Sequence, residues 1–220
     1  DRIRGKNGAF AATVAGIKLL RDARPDLLIN INFTSTRENY RIMPEMVRLT
    51  GELGCNKISF GPIHTNLQHQ MRPESEFNGL LFTPDDLADL KRCLAESREQ
   101  AARRGIRTSS ATFLNNIPRF YQGPVRWHTC YAGYASCAIS PWGDVSPCVD
   151  MESPLNVRSK PLDEIWASAE FQELRNKVDL CKNPCWDTTN AEIAIRFTTA
   201  GLFGELMTIL AEYKTYSSRK

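Results

Sequence analysis

The spacing of apolar residues changes rhythm along the chain. Phe10, Val14, Ile17 and Leu20 recur every three to four positions and share one face of a helix that Pro25 brings to an end. The period then drops to two. Leu27, Ile29, Ile31 and Phe33 fall on one side of a strand, and Asn30, Asn32 and then Thr34 fall on the other. The apolar side suits packing under helices, so Asn30, Asn32 and Thr34 face whatever the opposite side encloses. A second helix is predicted from about Tyr40 to Leu53, with Ile42, Met46, Leu49 and Leu53 inward and Gly54 as its stop. Lys57 to Phe60 reads as a short buried strand, and His64 to Leu81 as loop.

Thr83-Pro84-Asp85-Asp86 opens a third helix, with an N-cap, Pro in the first turn and acidic partners for the helix dipole. Gly105 closes it, and Ile106 to Phe113 is expected to resume as a strand. This alternation over residues 1–113 predicts an α/β fold with parallel strands and crossover helices. Leu114 to Trp127, with Pro118, Gly123 and Pro124, reads as loop and as a domain boundary. The second domain, residues 114–190, holds a hairpin and then a helix near Pro161 to Val178 that buries Ile165, Phe171 or Leu174, and Val178. A last apolar-rich helix, about Ala191 to Tyr213, occupies residues 191–220. Glu192, Arg196, Glu205 and Glu212 interrupt it, so Phe203, Leu206, Met207 and Leu210 read as core or docking residues rather than as a membrane segment.

Composition narrows the function classes. With 220 residues, 42% of them hydrophobic, the chain can form one large domain or two small ones. Its 28 Lys and Arg against 25 Asp and Glu leave a net charge of +3, too small and too mixed to argue for nucleic acid. No apolar run is long enough to span a bilayer. A small-molecule or peptide substrate, or a protein partner, is expected instead. The seven cysteines cannot all pair within one chain, and their clustered spacing favours metal ligation in a reducing compartment, hence the cytoplasm.

Four of those thiols stand out. Cys130 and Cys148 bracket a hairpin in which Ser136 to Ser140 and Asp144 to Cys148 are strands joined by Pro141-Trp142-Gly143-Asp144, and Cys181 and Cys185 flank Lys-Asn-Pro. Folding the strands back brings the outer cysteines toward a common point. Thiolates suit an iron-sulfur cluster and a tetrahedral zinc ion alike, and spacing separates the two poorly. Cys137 shares a strand face with Ile139 and reads as core, with replacement of one of the four as its alternative. Cys55 and Cys93 read as structural. His64 and His69, near Arg72 and Glu74, read as solvated loop histidines, with metal or substrate binding as the alternative. His128 is either packed or an N–H donor at a cluster edge, and Asn39 is either a helix N-cap or a ligand contact.

Leu155-Asn156-Val157-Arg158, Leu162-Asp-Glu-Ile165-Trp166 and Phe171-Gln-Glu-Leu174-Arg175, with the cysteine spacing, resemble the SPASM and twitch domains behind radical S-adenosylmethionine (SAM) enzymes. Leu155 departs from the usual Gly of that pattern. A single set of four cysteines is similar to the one-cluster twitch form. Asp1-Arg-Ile-Arg4-Gly5 with Gly8-Ala-Phe10 resembles the segment after the third strand of the radical SAM partial barrel. The resemblance implies that residues 1–113 are the later part of that barrel, with Asn30, Asn32 and Thr34 facing the SAM and substrate cavity. It also implies that Cys130, Cys148, Cys181 and Cys185 hold an auxiliary [4Fe-4S] cluster, exchanging electrons with a donor or acceptor protein. No Cys precedes Cys55, so the Cys-x-x-x-Cys-x-x-Cys loop of SAM cleavage is absent from these residues. The chain is accordingly expected to be a carboxy-terminal portion, unable to cleave SAM by itself. A non-catalytic zinc or iron-sulfur module serving structure or protein interaction is the alternative.

Overall fold

In the computed structural model, residues 1–64, 77, 79–123, 126–199, 201–203, 206, 210 and 213 are described. The chain is mixed α/β and divides into two units, residues 1–61 with 82–109, and residues 62–81 with 110–220.

The first unit is built on the predicted alternation. Helix α1 (Ala9–Ala23) leads to strand β1 (Asn30–Ser35), which pairs with β2 (Lys57–Pro62). Along β1 the side chains of Asn30, Asn32 and Thr34 are exposed and those of Ile31 and Phe33 half-buried, so the polar and apolar faces separate as the alternation requires. Val14 and Ile17 pack with Leu27, Ile31 and Leu49 around a core of Ile29, Leu53 and Cys55. Phe10 and Leu20 of the expected α1 face are exposed instead. Arg21 ties the end of α1 down by donating to the carbonyls of Pro25, Leu27 and Gly54 at 2.7 to 2.9 Å.

Helix α2 (Met43–Glu52) follows a short 3-10 turn, Tyr40–Ile42, and its buried face is rotated from the expected one. Met43, Val47 and Thr50 are buried, while Ile42 is exposed. The reason is the packing of α2 against α3 (Leu87–Arg103), which claims a second stripe beside the Leu49 and Leu53 stripe. Before α3, Thr83 takes the expected N-cap position and forms a capping box with Asp86.

The expected strand from Ile106 to Phe113 is not formed. Arg107 makes one parallel bridge to Lys57, and the chain then enters α4 (Ala111–Phe120). Ser110 is responsible: its Oγ accepts from the Phe113 N–H at 3.1 Å, the geometry of an N-cap. Phe113, Leu114 and Ile117 are then buried at helical spacing, and Pro118 is accommodated within the helix. The presumed loop from Leu114 is therefore helix as far as Phe120.

In the second unit, β3 (Ala138–Ile139) and β4 (Val145–Ser146) form the anticipated hairpin, antiparallel and only two residues per strand. The single helix expected from Pro161 is two, α5 (Leu162–Ala167) and α6 (Ala169–Leu180). Ser168 breaks it with extended backbone and caps α6 by accepting from the Phe171 N–H at 3.1 Å. Ile165, Phe171 and Leu174 join Val145 and Leu155 in one core, with Cys137 and Trp166 packed against it. Leu155 earns its place there as a buried side chain, and its carbonyl accepts from Val145 N–H at 2.7 Å. Helix α7 (Asn190–Arg196) ends at a turn through Phe197 and Thr198 before helical residues resume, so the last long helix is interrupted. Beyond the turn Phe203, Leu206 and Leu210 are exposed, while Met207 lies outside the described residues.

Candidate metal centre

Three short segments bring the four thiols to one cavity of about 680 Å³. Cys130 leads into a tight turn in which the Tyr134 and Ala135 N–H groups donate to the Tyr131 carbonyl and the Gly133 N–H to Ser136. Gly133 adopts φ +78°, and a Cβ there would stand 3.2 Å from Arg175 and Pro147 side-chain atoms, so the turn requires glycine on two counts. Cys148 follows β4 directly. Cys181 is the C-terminal cap of α6, where extended backbone turns the chain away from the helix. Cys185 comes four residues later, before Trp186.

Each segment is held from outside the cavity. Arg175, buried on α6, donates Nε–H to the Gly133 carbonyl at 2.7 Å and an Nη2 proton to the Trp166 carbonyl at 2.8 Å. Its guanidinium also lies over the Phe171 and Trp166 rings, 4.6 and 4.9 Å from their centroids. The far end of the hairpin is fixed by Asn156, which donates to the Trp142 carbonyl at 3.1 Å and to Asp144 at 2.8 Å. Trp186 is buried between Phe113 and Trp127, with centroids at 5.3 and 4.9 Å, and donates its indole N–H to the Phe113 carbonyl at 3.0 Å. The third cysteine segment is thereby anchored to α4. In turn, the Ser110 hydroxyl donates to Glu192 of α7 at 2.7 Å.

Burial dominates the electrostatics of the thiols in the cavity. Burial pushes the Cys148 thiol up to about 11, with Asp150, Cys130 and Cys181 adding to it and the Asp150 backbone N–H opposing. Burial pushes Cys185 up to about 12, with Asp187, Asp150, Cys181 and Cys148 contributing. Cys130 is raised chiefly by burial, against the Ala132 backbone N–H and Arg126, and Cys181 adds to the rise. Cys181 thus adds to the rise at Cys130, Cys148 and Cys185 alike. Cys137 lines the same cavity but is raised by burial alone and packs on the apolar core. Among the described residues, no three His, Cys, Asp or Glu side chains converge closely enough to hold one ion.

His64 and His128 also line the cavity. His64, expected in a solvated loop, packs its ring 5.1 Å from Phe120, while His69, Arg72 and Glu74 lie outside the described residues. Burial, aided by Arg126 and opposed by Asp187, pulls the His128 imidazole below its usual value. Asn30, Asn32 and Thr34 belong to the first unit, on the exposed face of β1. Asn39 stands at the N-cap position of the 3-10 turn Tyr40–Ile42 but makes no capping bond through its side chain. It closes the turn after β1, accepting from the Thr36 N–H at 2.8 Å and donating to the Thr34 carbonyl at 3.0 Å. Cys55 and Cys93 are buried apart from the other thiols.

In the sequence Arg175 stands out only as the end of Phe171-Gln-Glu-Leu174-Arg175, and Trp186 not at all. Their work depends on partners 42 and 73 residues away, which no local pattern displays.

Residues 130–187 match SPASM, an iron-sulfur cluster-binding domain. An AdoMet-dependent heme synthase from Methanosarcina barkeri is 28% identical over 200 residues, covering 84% of this chain and 54% of that protein. The same activity is named for a relative from Nitratidesulfovibrio vulgaris, 28% identical over 199 residues, 80% of this chain and 50% of that protein. A PqqA peptide cyclase from Gluconobacter oxydans is 28% identical over 193 residues, 84% of this chain and 49% of that protein. The chain spans about half the length of the curated relatives it matches. It carries an iron-sulfur-binding SPASM region and is related to radical SAM enzymes. No helix among the described residues is long and apolar enough to cross a membrane.

Proposed function

We propose that Cys130, Cys148, Cys181 and Cys185 ligate one auxiliary [4Fe-4S] cluster serving a radical SAM reaction on a peptide or small molecule. The observation that carries this is the gathering of the four thiols around one cavity within the SPASM match. A single zinc ion needs four donors converging within about 2.3 Å of a point, whereas a cluster spreads its four irons over a larger volume and takes one thiolate at each. Such a cluster supplies one-electron transfer.

The chain's own residues prepare the site for it. The Ala132 and Asp150 N–H groups favour the thiolate forms of Cys130 and Cys148, against the burial that otherwise keeps those sulfurs protonated. Four cysteines fill the external coordination of the irons, so the site is suited to passing electrons or supporting structure rather than to binding substrate at iron. Asn30, Asn32 and Thr34 are proposed to line the SAM and substrate side of a partial barrel, supported by the exposed polar face of β1 and by the relatives. A peptide substrate is favoured by the peptide cyclase relative, and an electron donor or acceptor protein would complete the circuit. The 220 residues contain no Cys-x-x-x-Cys-x-x-Cys, and by themselves they are proposed not to cleave SAM.

Anaerobic reconstitution followed by iron, zinc and acid-labile sulfide analysis tests the assignment. About four iron and four sulfide per chain are expected, lost together in Cys148→Ser. One equivalent of zinc without sulfide would replace this function by a structural zinc module.

A further inference from the structure

His128 lines the thiol cavity and lies two residues ahead of Cys130. Its ring meets Trp186 edge-on, with centroids 5.6 Å apart at 71°. Trp186 is itself fixed by its stacking and by the hydrogen bond to Phe113, so packing sets the plane of the imidazole. Both ring nitrogens are buried, and neither has a hydrogen-bond partner among the described residues. A neutral imidazole always carries one N–H donor and one acceptor, and a protein interior leaves such groups unmatched at a cost. The wall that holds this unmatched donor is the wall that holds the four sulfurs.

We infer that His128 donates its ring N–H to a sulfur at the edge of the cluster and thereby raises the reduction potential of that cluster. The inference rests on the cluster assignment above. Adding one electron makes the sulfurs more negative, so an N–H donor stabilises the reduced state more than the oxidised state. No proton needs to move, and the electron comes from the reductant. With four cysteines as ligands, His128 acts beside the iron rather than on it and is a positioning residue.

The test uses the reconstituted 220-residue chain and its His128→Phe and His128→Gln variants, titrated anaerobically with a chemical reductant and followed by EPR. His128→Phe should keep the wild-type iron and sulfide content while its reduction equilibrium becomes about tenfold less favourable, a lowering of about 59 mV for a one-electron couple. His128→Gln, which retains an N–H donor, should fall between the two. Independently of any variant, pulsed EPR of the reduced wild-type protein with ¹⁵N-labelled histidine should show a weak nitrogen coupling. An unchanged potential in His128→Phe, absence of that coupling, or a folded variant that loses iron would each overturn the inference. A wild-type chain that takes up no iron and sulfide would instead sink the cluster assignment, and the inference with it.

Discussion

Replacing Arg175 by Met should weaken the cysteine-bearing unit. The substitution keeps an apolar stem of similar length and removes the guanidinium. Two charge-assisted hydrogen bonds to backbone carbonyls are lost, at Gly133 and Trp166, together with the stacking over Phe171 and Trp166. Hydrogen bonds to a charged group contribute about 1.5–3 kcal/mol each, and a desolvated cation over an aromatic ring about 1–2 kcal/mol. Part of this is offset because Met needs no desolvation, and the terms overlap, which leaves an expected loss of about 3 kcal/mol. For a protein of this size that corresponds to a fall in Tm of roughly 6–12 °C. Lys at the same position retains the charge but not the fork that reaches two carbonyls in different directions, so it should recover less than half of the loss. Thermal unfolding of the reconstituted proteins, followed by circular dichroism and by release of iron, measures both effects. Because Gly133 sits in the turn after Cys130, iron release should precede global unfolding in Arg175→Met. A Tm within 2 °C of wild type, with iron retained to the same temperature, would refute the account of Arg175 as the clamp on this turn.

Other substitutions probe separate parts of the argument. Cys137→Ala should retain full iron and sulfide content while costing about 1 kcal/mol in a denaturant titration, since it removes a small core side chain and no ligand; loss of iron would return Cys137 to the ligand set. Ser110→Ala removes the N-cap of α4 and a hydrogen bond to Glu192, so a loss of about 2 kcal/mol is expected from chemical denaturation, with Ser110→Thr close to wild type. The Asp86 carboxyl is held below its usual value by the Thr83 side chain and backbone, and then by Arg37 at 3.0 Å. A depressed carboxyl contributes stability above its unfolded value and loses it as pH falls through the folded value. The gap between wild type and Asp86→Asn should therefore be full at pH 6 and close progressively below about pH 4, as read from Tm against pH.

Periodicity and punctuation fixed the first unit well in advance. The two-residue alternation from Leu27 to Phe33 separated the polar and apolar faces of β1, and Thr83, Asp86, Gly54 and Gly105 marked helix ends, because each of these depends on neighbours within a few residues. The cysteine spacing likewise marked the hairpin between Cys130 and Cys148, since a hairpin turn is a local event and Gly143 with φ +94° supplies it. Errors arose where one residue switches the outcome or where a distant surface competes. Ser110 made a helix out of an expected strand, Ser168 cut one helix into two, and α3 rotated the buried face of α2. Only the tertiary structure shows that the four thiols, with Cys137, line one cavity. Cys137 and Cys148 are equally good donors on paper and both line the cavity, but Cys137 also packs onto the core of Phe171 and Leu174. The same holds for Arg175, Trp186 and His128, whose partners are fixed by packing between segments far apart in the chain. Sequence determined the kind of chemistry through the residue types it supplied; the fold determined which of those residues meet, because contact across a cavity is set by the sum of many remote packing choices.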